Sequence, residues 1–343
     1  MRVGVVGASG YAGAEVVRHL LRHPRVALSY LAADTMAGRE LPDVYPHLRG
    51  LCSLPLEAYS VERAAAAAEL VLVALPAGRS GQVAAELLER GLRVIDLSGD
   101  YRLPADVYEG WYGKPAPPAA PVPPVYGLPE VFGEFLAGAR LVANPGCYPT
   151  AALLALAPAL EAGLSDSDGL VVDAKSGVSG AGRAASLETH FSEVNENCRA
   201  YKVGRHQHTP EIEAVLAAVA GRPLVISFTP HLIPMTRGIL VTAYAQLKPG
   251  VNAPAVLRAY ELFYQGRPFV RLLPEGHWPQ TKAVLGSNYC DLALHVDSRT
   301  GRLVALAAID NLVKGAAGQA VQNLNLMAGW PEDEGLQQVP LYP

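Results

Sequence analysis

Charge is in short supply in this chain: only 17% of its 343 residues are Asp, Glu, Lys or Arg, while 50% are apolar. Disordered chains show the opposite balance, so the composition indicates a globular protein long enough for two domains. The net charge is −4 and no run of Lys and Arg forms the footprint that a phosphate backbone requires, so nucleic acid is not an expected partner. No apolar stretch reaches the ~20 residues needed to span a bilayer, and no membrane partner is expected. The opening residues, Met1-Arg2-Val3-Gly4-Val5-Val6, enter a strand directly instead of a charged leader and apolar core. No signal peptide is therefore expected, and the compartment is read as cytoplasmic. Cysteine is sparse as well, and Cys52, Cys147, Cys198 and Cys290 lie far apart. That spacing argues against a disulfide framework and against a metal site.

What is present is organised first by glycine. The β-branched run Arg2 to Val6 leads into Gly7-Ala8-Ser9-Gly10-Tyr11-Ala12-Gly13, and apolar residues then recur at helical spacing from Glu15 to Leu21. A second strand, Val26 to Ala32, completes a strand–turn–helix–strand unit in which the glycines let a pyrophosphate approach a helix N-terminus. A nicotinamide dinucleotide is the expected cofactor. Asp34, at the end of the second strand, occupies the position where an acid pairs with a ribose 2′-hydroxyl, yet Thr35 and Arg39 in the same loop suit a 2′-phosphate. On these residues alone, NAD and NADP stay open.

Ala68 to Leu75 and Leu92 to Leu97 read as buried parallel strands flanking a helix from Gly78 to Arg90, which implies a doubly wound α/β sheet. At the carboxyl end of the second of these strands stands Ser98-Gly99-Asp100-Tyr101-Arg102, where Arg102 is either an anion clamp or a surface salt bridge to Asp100 or Asp106. The proline- and alanine-rich stretch from Lys114 to Pro124 reads as a surface excursion, after which Leu141 to Ala143 forms the last strand of the sheet. Next comes Asn144-Pro145-Gly146-Cys147-Tyr148-Pro149-Thr150, which places Cys147 just before a proline-initiated apolar helix. Free backbone N–H groups and the positive end of the helix dipole favour thiolate there, the layout of a nucleophile, although an inert buried cysteine is the commoner fate of the residue.

The second half has strand-like runs at Leu170 to Ala174, Leu224 to Phe228, Gly238 to Gln246, Ala293 to Val296 and Leu303 to Ile309, with few helices between them, which predicts a mainly antiparallel α+β domain. Lys175-Ser176-Gly177-Val178-Ser179-Gly180-Ala181-Gly182-Arg183 is a polar glycine loop able to offer N–H groups to an anion. In Gly204-Arg205-His206-Gln207-His208-Thr209-Pro210-Glu211, Thr209 is a suitable N-cap for the helical run Ile212 to Val219. His208 then stands at a helix N-terminus, where the dipole favours the neutral, base-competent imidazole, and Glu211 in the first turn either complements the dipole or orients His208.

Taken together, the glycine turn at Gly7, the Asp96-to-Arg102 segment, the Asn144-to-Thr150 segment, Ser176 to Arg183, His206 to Glu211 and Asp310-Asn311-Leu312-Val313-Lys314-Gly315 resemble the N-acetyl-gamma-glutamyl-phosphate reductases, in order and over nearly the whole chain. The resemblance implies a Rossmann domain of residues 1–146 and 315–343, whose C-terminal helix packs back, and an α+β catalytic and oligomerisation domain of residues 147–314. It implies NADPH as cofactor, held by Gly7, Ser9, Gly10, Tyr11, Gly13, Thr35, Arg39, Ser176, Gly177 and Asn311, and a homodimer or homotetramer. Cys147 is then the nucleophile that forms a thioester with an acyl phosphate, and His208 the acid/base with Glu211 beside it. Arg102 and Lys175 are candidates for the phosphate, and His206 and Arg237 for a substrate carboxylate. Sibling substrates are aspartyl phosphate and carrier-linked aminoadipyl phosphate. A nicotinamide-binding regulator without catalysis is the competing reading from another class.

Overall fold

The computed structural model describes residues 1–342 and divides the chain into two compact units, Met1–Gly146 with Ala316–Gln338, and Cys147–Gly315 with the tail that follows Gln338. The sequence reading keeps that tail with the first unit; in the structure Leu341 donates its backbone N–H to Leu285 O at 2.8 Å, within the second.

The first unit is built on strands β1 (Arg2–Val6), β2 (Ala27–Ala32), β3 (Leu70–Val73), β4 (Arg93–Asp96), β5 (Val125–Tyr126) and β6 (Leu141–Ala143). Every pairing is parallel, in the order β2-β1-β3-β4-β6-β5. β3 is buried at every position, as a parallel strand covered on both faces must be. The order reverses direction beside β1, and Gly7 leaves its carboxyl end into the turn before the helix Tyr11–Leu20. β6 is the last strand of this sheet along the chain, as the sequence suggests, and the two residues of β5, which the sequence reading does not contain, pair outside it at the edge. Two residues are too few to show a period.

The helix Gly318–Met327 belongs to this unit although it lies far along the chain. It buries Gln319, Gln322, Asn323 and Asn325, a costly set unless hydrogen-bonded. Asn323 Nδ2 donates to Gly127 O at 2.8 Å and to Asn144 Oδ1 at 2.9 Å, and Asn325 Oδ1 meets His23 Nε2 at 2.8 Å. These amides tie the helix to the loops that carry the end of β6.

The second unit contains β7 (Leu170–Ser176), β8 (Arg199–Ala200), β9 (Ile226–Leu232), β10 (Ile239–Gln246), β11 (Val270–Leu272), β12 (Cys290–Asp297) and β13 (Arg302–Ile309), in the order β11-β12-β13-β10-β7-β9-β8. The sheet is mixed: four pairings are antiparallel, while β7 pairs β9 and β11 pairs β12 in parallel. β7 and β10 alternate buried and half-buried residues along their length, the signature of a sheet covered on one face.

That cover includes the helix Cys147–Glu161, in which every residue from Tyr148 to Leu160 is buried. A helix apolar all round is a core helix. It also contains Pro158, which has no N–H for the carbonyl of Leu154, four residues earlier. Tyr264, just after the helix Ala253–Phe263, donates its hydroxyl to that carbonyl, and Tyr260 donates to the next one, Ala155 O, at 2.6 Å. Tyr264 thus fills the gap that the proline leaves, since a buried unpartnered carbonyl costs about 1–3 kcal/mol.

Tyr264→Phe is accordingly expected to destabilise the protein by about 1–3 kcal/mol in urea unfolding, and by clearly less in a Pro158→Ala background that restores the missing N–H. Equal losses in both backgrounds would show that the hydroxyl does not serve the proline gap.

Candidate active site

Two regions carry the polar chemistry, one in each unit. In the first unit a cleft opens at the end of β1, lined among others by Gly7, Ser9, Asp34, Thr35, Tyr59 and Arg79. Gly7 has φ +88°, and a Cβ there would lie 2.4 Å from Ala74 O; a Cβ on Gly13 would lie 2.2 Å from Gly7 O. Only glycine permits this turn to sit so close to β3 and to the first turn of its helix. Gly10 is the N-cap of the helix Tyr11–Leu20, with no side-chain cap, so the first N–H groups point into a place fit for an anion. The cradle therefore suits the pyrophosphate of a dinucleotide.

At the far end of the cleft the structure departs from the sequence reading. Thr35 lines it, but Arg39 is exposed in the following turn, and the cation that lines the cleft is Arg79. Arg79 precedes the helix Ser80–Glu89 and forms an ion pair with Asp34 Oδ2, whose Oδ1 accepts the backbone N–H of Tyr59 at 2.8 Å. The Tyr59 N–H, and then Arg79, hold the Asp34 carboxyl below its ordinary range. Nothing in the sequence around Arg79 marks it out, because the site forms only when β2 and β3 lie on either side of β1.

Beyond β4, Asp100 is almost fully buried and accepts hydrogen bonds from the N–H groups of Gly78 (2.8 Å) and Gly81 (2.7 Å) and from the Tyr108 hydroxyl (2.8 Å). It thereby locks the turn that presents Arg79. Arg102 donates from Nε to Asn144 O at 2.7 Å and from Nη2 to Leu97 O at 2.9 Å. Part of its five-donor fork thus holds the two strand-end loops together, an interaction with backbone carbonyls that neither the anion clamp nor the salt bridge anticipates.

In the second unit Cys147 is the first residue of its helix, one position further in than expected, and half-buried. A Cβ on Gly315 would lie 2.8 Å from Cys147 Cβ, so the chain returning from β13 packs directly on the nucleophile candidate. Tyr148 turns its ring edge to His206 (centroids 5.6 Å), His208 (6.0 Å) and Phe228 (5.4 Å). Its hydroxyl accepts from Tyr201 Oη at 3.0 Å and donates to His231 O at 3.3 Å. Burial raises both phenols, Tyr201 to about 12, and the negative charge of a Cys147 thiolate adds to each, so the sulfur lies within electrostatic reach of both.

His208 caps the helix Thr209–Ala220, one residue closer than expected, with Thr209 inside the helix. Its ring lies 4.8 Å from that of His206, centroid to centroid, and its backbone N–H donates to His206 Nδ1 at 3.1 Å. His206 is only 3% exposed, and burial, followed by the charges of His208 and Lys202, pushes it down to about 2. A ring held neutral and packed against His208 is placed to position that residue. Glu211 is buried in the first turn and acts electrostatically on His206. Tyr148 and Tyr201 are absent from the sequence-derived candidates, although Tyr148 is the neighbour of Cys147.

The remaining candidates of this unit engage protein groups. Lys175 pairs with Asp173 at 2.6 Å, and Arg237 with the buried Asp310 at 3.1 Å. Ser176 Oγ donates to Gly177 O at 2.9 Å, while Asn311 accepts from Gly238 N at 2.7 Å and donates to Ser179 Oγ at 3.0 Å. Asn311 thus fixes the 177–181 loop to the start of β10. Among the described residues no His, Cys, Asp or Glu cluster is placed to hold a metal, and no helix is long and apolar enough to cross a membrane.

Comparison with known proteins follows the same division. Residues 2–139 match the semialdehyde dehydrogenase NAD binding domain and residues 147–311 the semialdehyde dehydrogenase dimerisation domain. The chain is 53% identical to an N-acetyl-gamma-glutamyl-phosphate reductase of Desulforudis audaxviator and 50% identical to one of Desulforamulus reducens, in each case over all of both chains. A reductase of the same name from Thermosynechococcus vestitus is 48% identical over 99% of this chain and 98% of its own. Among solved structures, aspartate semialdehyde dehydrogenase II of Vibrio cholerae superposes with a TM-score of 0.73 at 19% identity, covering 96% of this chain and 98% of that one. Full-length identity at this level, on the fold just described, shows that the chain belongs to the N-acetyl-gamma-glutamyl-phosphate reductase family.

Proposed function

We propose that the protein reduces N-acetyl-gamma-glutamyl phosphate to N-acetylglutamate semialdehyde and phosphate with NADPH, a step of arginine biosynthesis, and does so in the cytoplasm. The name shared by its full-length relatives supports the substrate, and the observation that carries the chemistry is the cluster of Cys147 with Tyr148, His206 and His208. The second unit carries a dimerisation domain and the chain assembles as a homo-oligomer, for which a dimer or tetramer is proposed.

The Cys147 thiolate attacks the acyl carbonyl, the C–O bond to phosphate breaks, and a thioester remains on Sγ. Backbone N–H groups at the mouth of the Cys147 helix stabilise the oxyanion that develops during attack. The glycine cradle of Gly7, Gly10 and Gly13 in the first unit would hold NADPH, which would supply the hydride for reduction of the acyl group. His208 gives a proton to the oxyanion that reduction leaves on the acyl carbon and takes it back as the carbon–sulfur bond breaks, so that the aldehyde departs and Cys147 returns to thiolate. His206 keeps His208 in register through the 3.1 Å backbone contact, and Glu211 lies at the same helix start. Arg102, with Lys175, is proposed for the phosphate, and Arg237, with His206, for the substrate carboxylate. Ser176, Gly177 and Asn311 shape the loop that complements the cofactor.

The reverse assay tests this reading: N-acetylglutamate semialdehyde, phosphate and NADP should yield NADPH far faster than aspartate semialdehyde does, and a preference for the latter would overturn the substrate. Cys147→Ser is expected to lower turnover at least about 10³-fold while still binding NADPH in a fluorescence titration, and retained turnover would remove Cys147 as nucleophile. His208→Gln should cost about 10²–10⁴-fold in kcat.

A pH prediction follows from His206. Its folded value lies far below the 6.5 of the unfolded chain, so the unfolded state takes up the proton first. The stability term is absent above about pH 6.5 and becomes destabilising as pH falls below it, at about 1.4 kcal/mol per unit. In the folded protein the His206 ring signals should not move between about pH 8 and about pH 5 in NMR spectra. A midpoint near 6.5 would contradict the buried neutral ring.

A further inference from the structure

Resting on the proposed use of a nicotinamide dinucleotide, we propose that Arg79 is the residue that selects the 2′-phosphate of the cofactor, and that Asp34 is its counter-ion and positioning partner. The cleft at the end of β1 brings both to its far wall together with Thr35 and Tyr59. Asp34 stands at the end of β2, where an acid ordinarily accepts the ribose 2′-hydroxyl and repels a 2′-phosphate. In this fold its two oxygens are already committed, Oδ1 to the Tyr59 N–H at 2.8 Å and Oδ2 to Arg79. The acid that would bar a phosphate is neutralised by a guanidinium from the other side of β1.

Two further observations favour this assignment over Arg39. Arg79 lines the cleft, whereas Arg39 lies exposed in the turn beyond it. Arg79 is also carried by a turn with little freedom, because buried Asp100 holds the N–H groups of Gly78 and Gly81 on either side of it. Its own side chain is 58% exposed, so it can turn from one Asp34 oxygen to a phosphate without breaking buried structure. A guanidinium has donors for both anions at once.

The pair makes the preference moderate. A dianion arriving at a site with one positive and one negative group gains a charge-assisted hydrogen bond from Arg79 and loses part of it to repulsion from Asp34. Removing the cation leaves Asp34 facing the phosphate, which reverses the preference toward the 2′-hydroxyl. Removing the carboxylate charge leaves the cation without an internal competitor and raises the preference.

The test is calorimetric binding of 2′,5′-ADP and of 5′-ADP at fixed ionic strength, which reads the adenosine end without turnover. The unmodified protein should bind 2′,5′-ADP more tightly. Arg79→Gln should weaken 2′,5′-ADP about ten- to hundredfold and leave 5′-ADP within about twofold. Arg79→Lys should retain the preference, Asp34→Asn should increase it, and Arg39→Gln should leave it unchanged. An unaltered ratio in Arg79→Gln, or a lost preference in Arg39→Gln, overturns the assignment while the cofactor reading stands. Failure of the unmodified protein to bind either nucleotide overturns the cofactor reading of the cleft, and this proposal with it.

Discussion

Much of the second unit depends on one packing constraint: a helix buried on every side must begin at a residue that stays reachable. From Tyr148 to Leu160 no side chain of the Cys147 helix is exposed, and its body is clamped through Tyr260 and Tyr264 at the carbonyls beside Pro158. The helix mouth therefore has a fixed place, and Cys147 with it. Gly315 closes on the Cys147 Cβ from β13, so a larger side chain there would push the helix start out of line. A reactive thiolate needs N–H groups that do not move, and a core helix supplies them.

Electrostatics in the same cluster follows from burial. Tyr148 and Tyr201 keep their protons and His206 stays neutral. The rings around the nucleophile thus contribute shape and hydrogen bonds without adding a charge of their own. Tyr148 joins the two functional segments, since it follows Cys147 in sequence and packs edge-on against both histidines. In the first unit the corresponding economy is the buried Asp100, one carboxylate that fixes the turn before the helix Ser80–Glu89.

The parts of this arrangement that were legible in the sequence are those with a local pattern. β1 and β6 fall where the apolar runs place them, and the glycine turn after β1, Cys147 and His208 all stand at strand–helix or loop–helix junctions. Ends shift by one to four residues, at helix starts because caps and first turns share the same residue types, as at Thr209, and at strand ends such as those of β9 and β12 because pairing carries the strand past its apolar run. What was illegible depends on distant pairing. β5 is two residues long, Arg79 reaches Asp34 across β1, Tyr264 serves a carbonyl of the Cys147 helix, and the buried amides of Gly318–Met327 look like a polar surface helix until Gly127 and Asn144 meet them. His206 carried a motif but not its environment, since Tyr148, Tyr201 and Phe228 come from separate segments to bury it.

The central claim is that Cys147 captures the acyl group covalently. Its most direct test is mass spectrometry of the intact and digested protein after incubation with N-acetyl-gamma-glutamyl phosphate in the absence of nicotinamide cofactor, quenched in acid to preserve thioesters. One acyl adduct is expected, on the peptide that contains Cys147. No adduct, or an adduct on Cys52, Cys198 or Cys290, would contradict it.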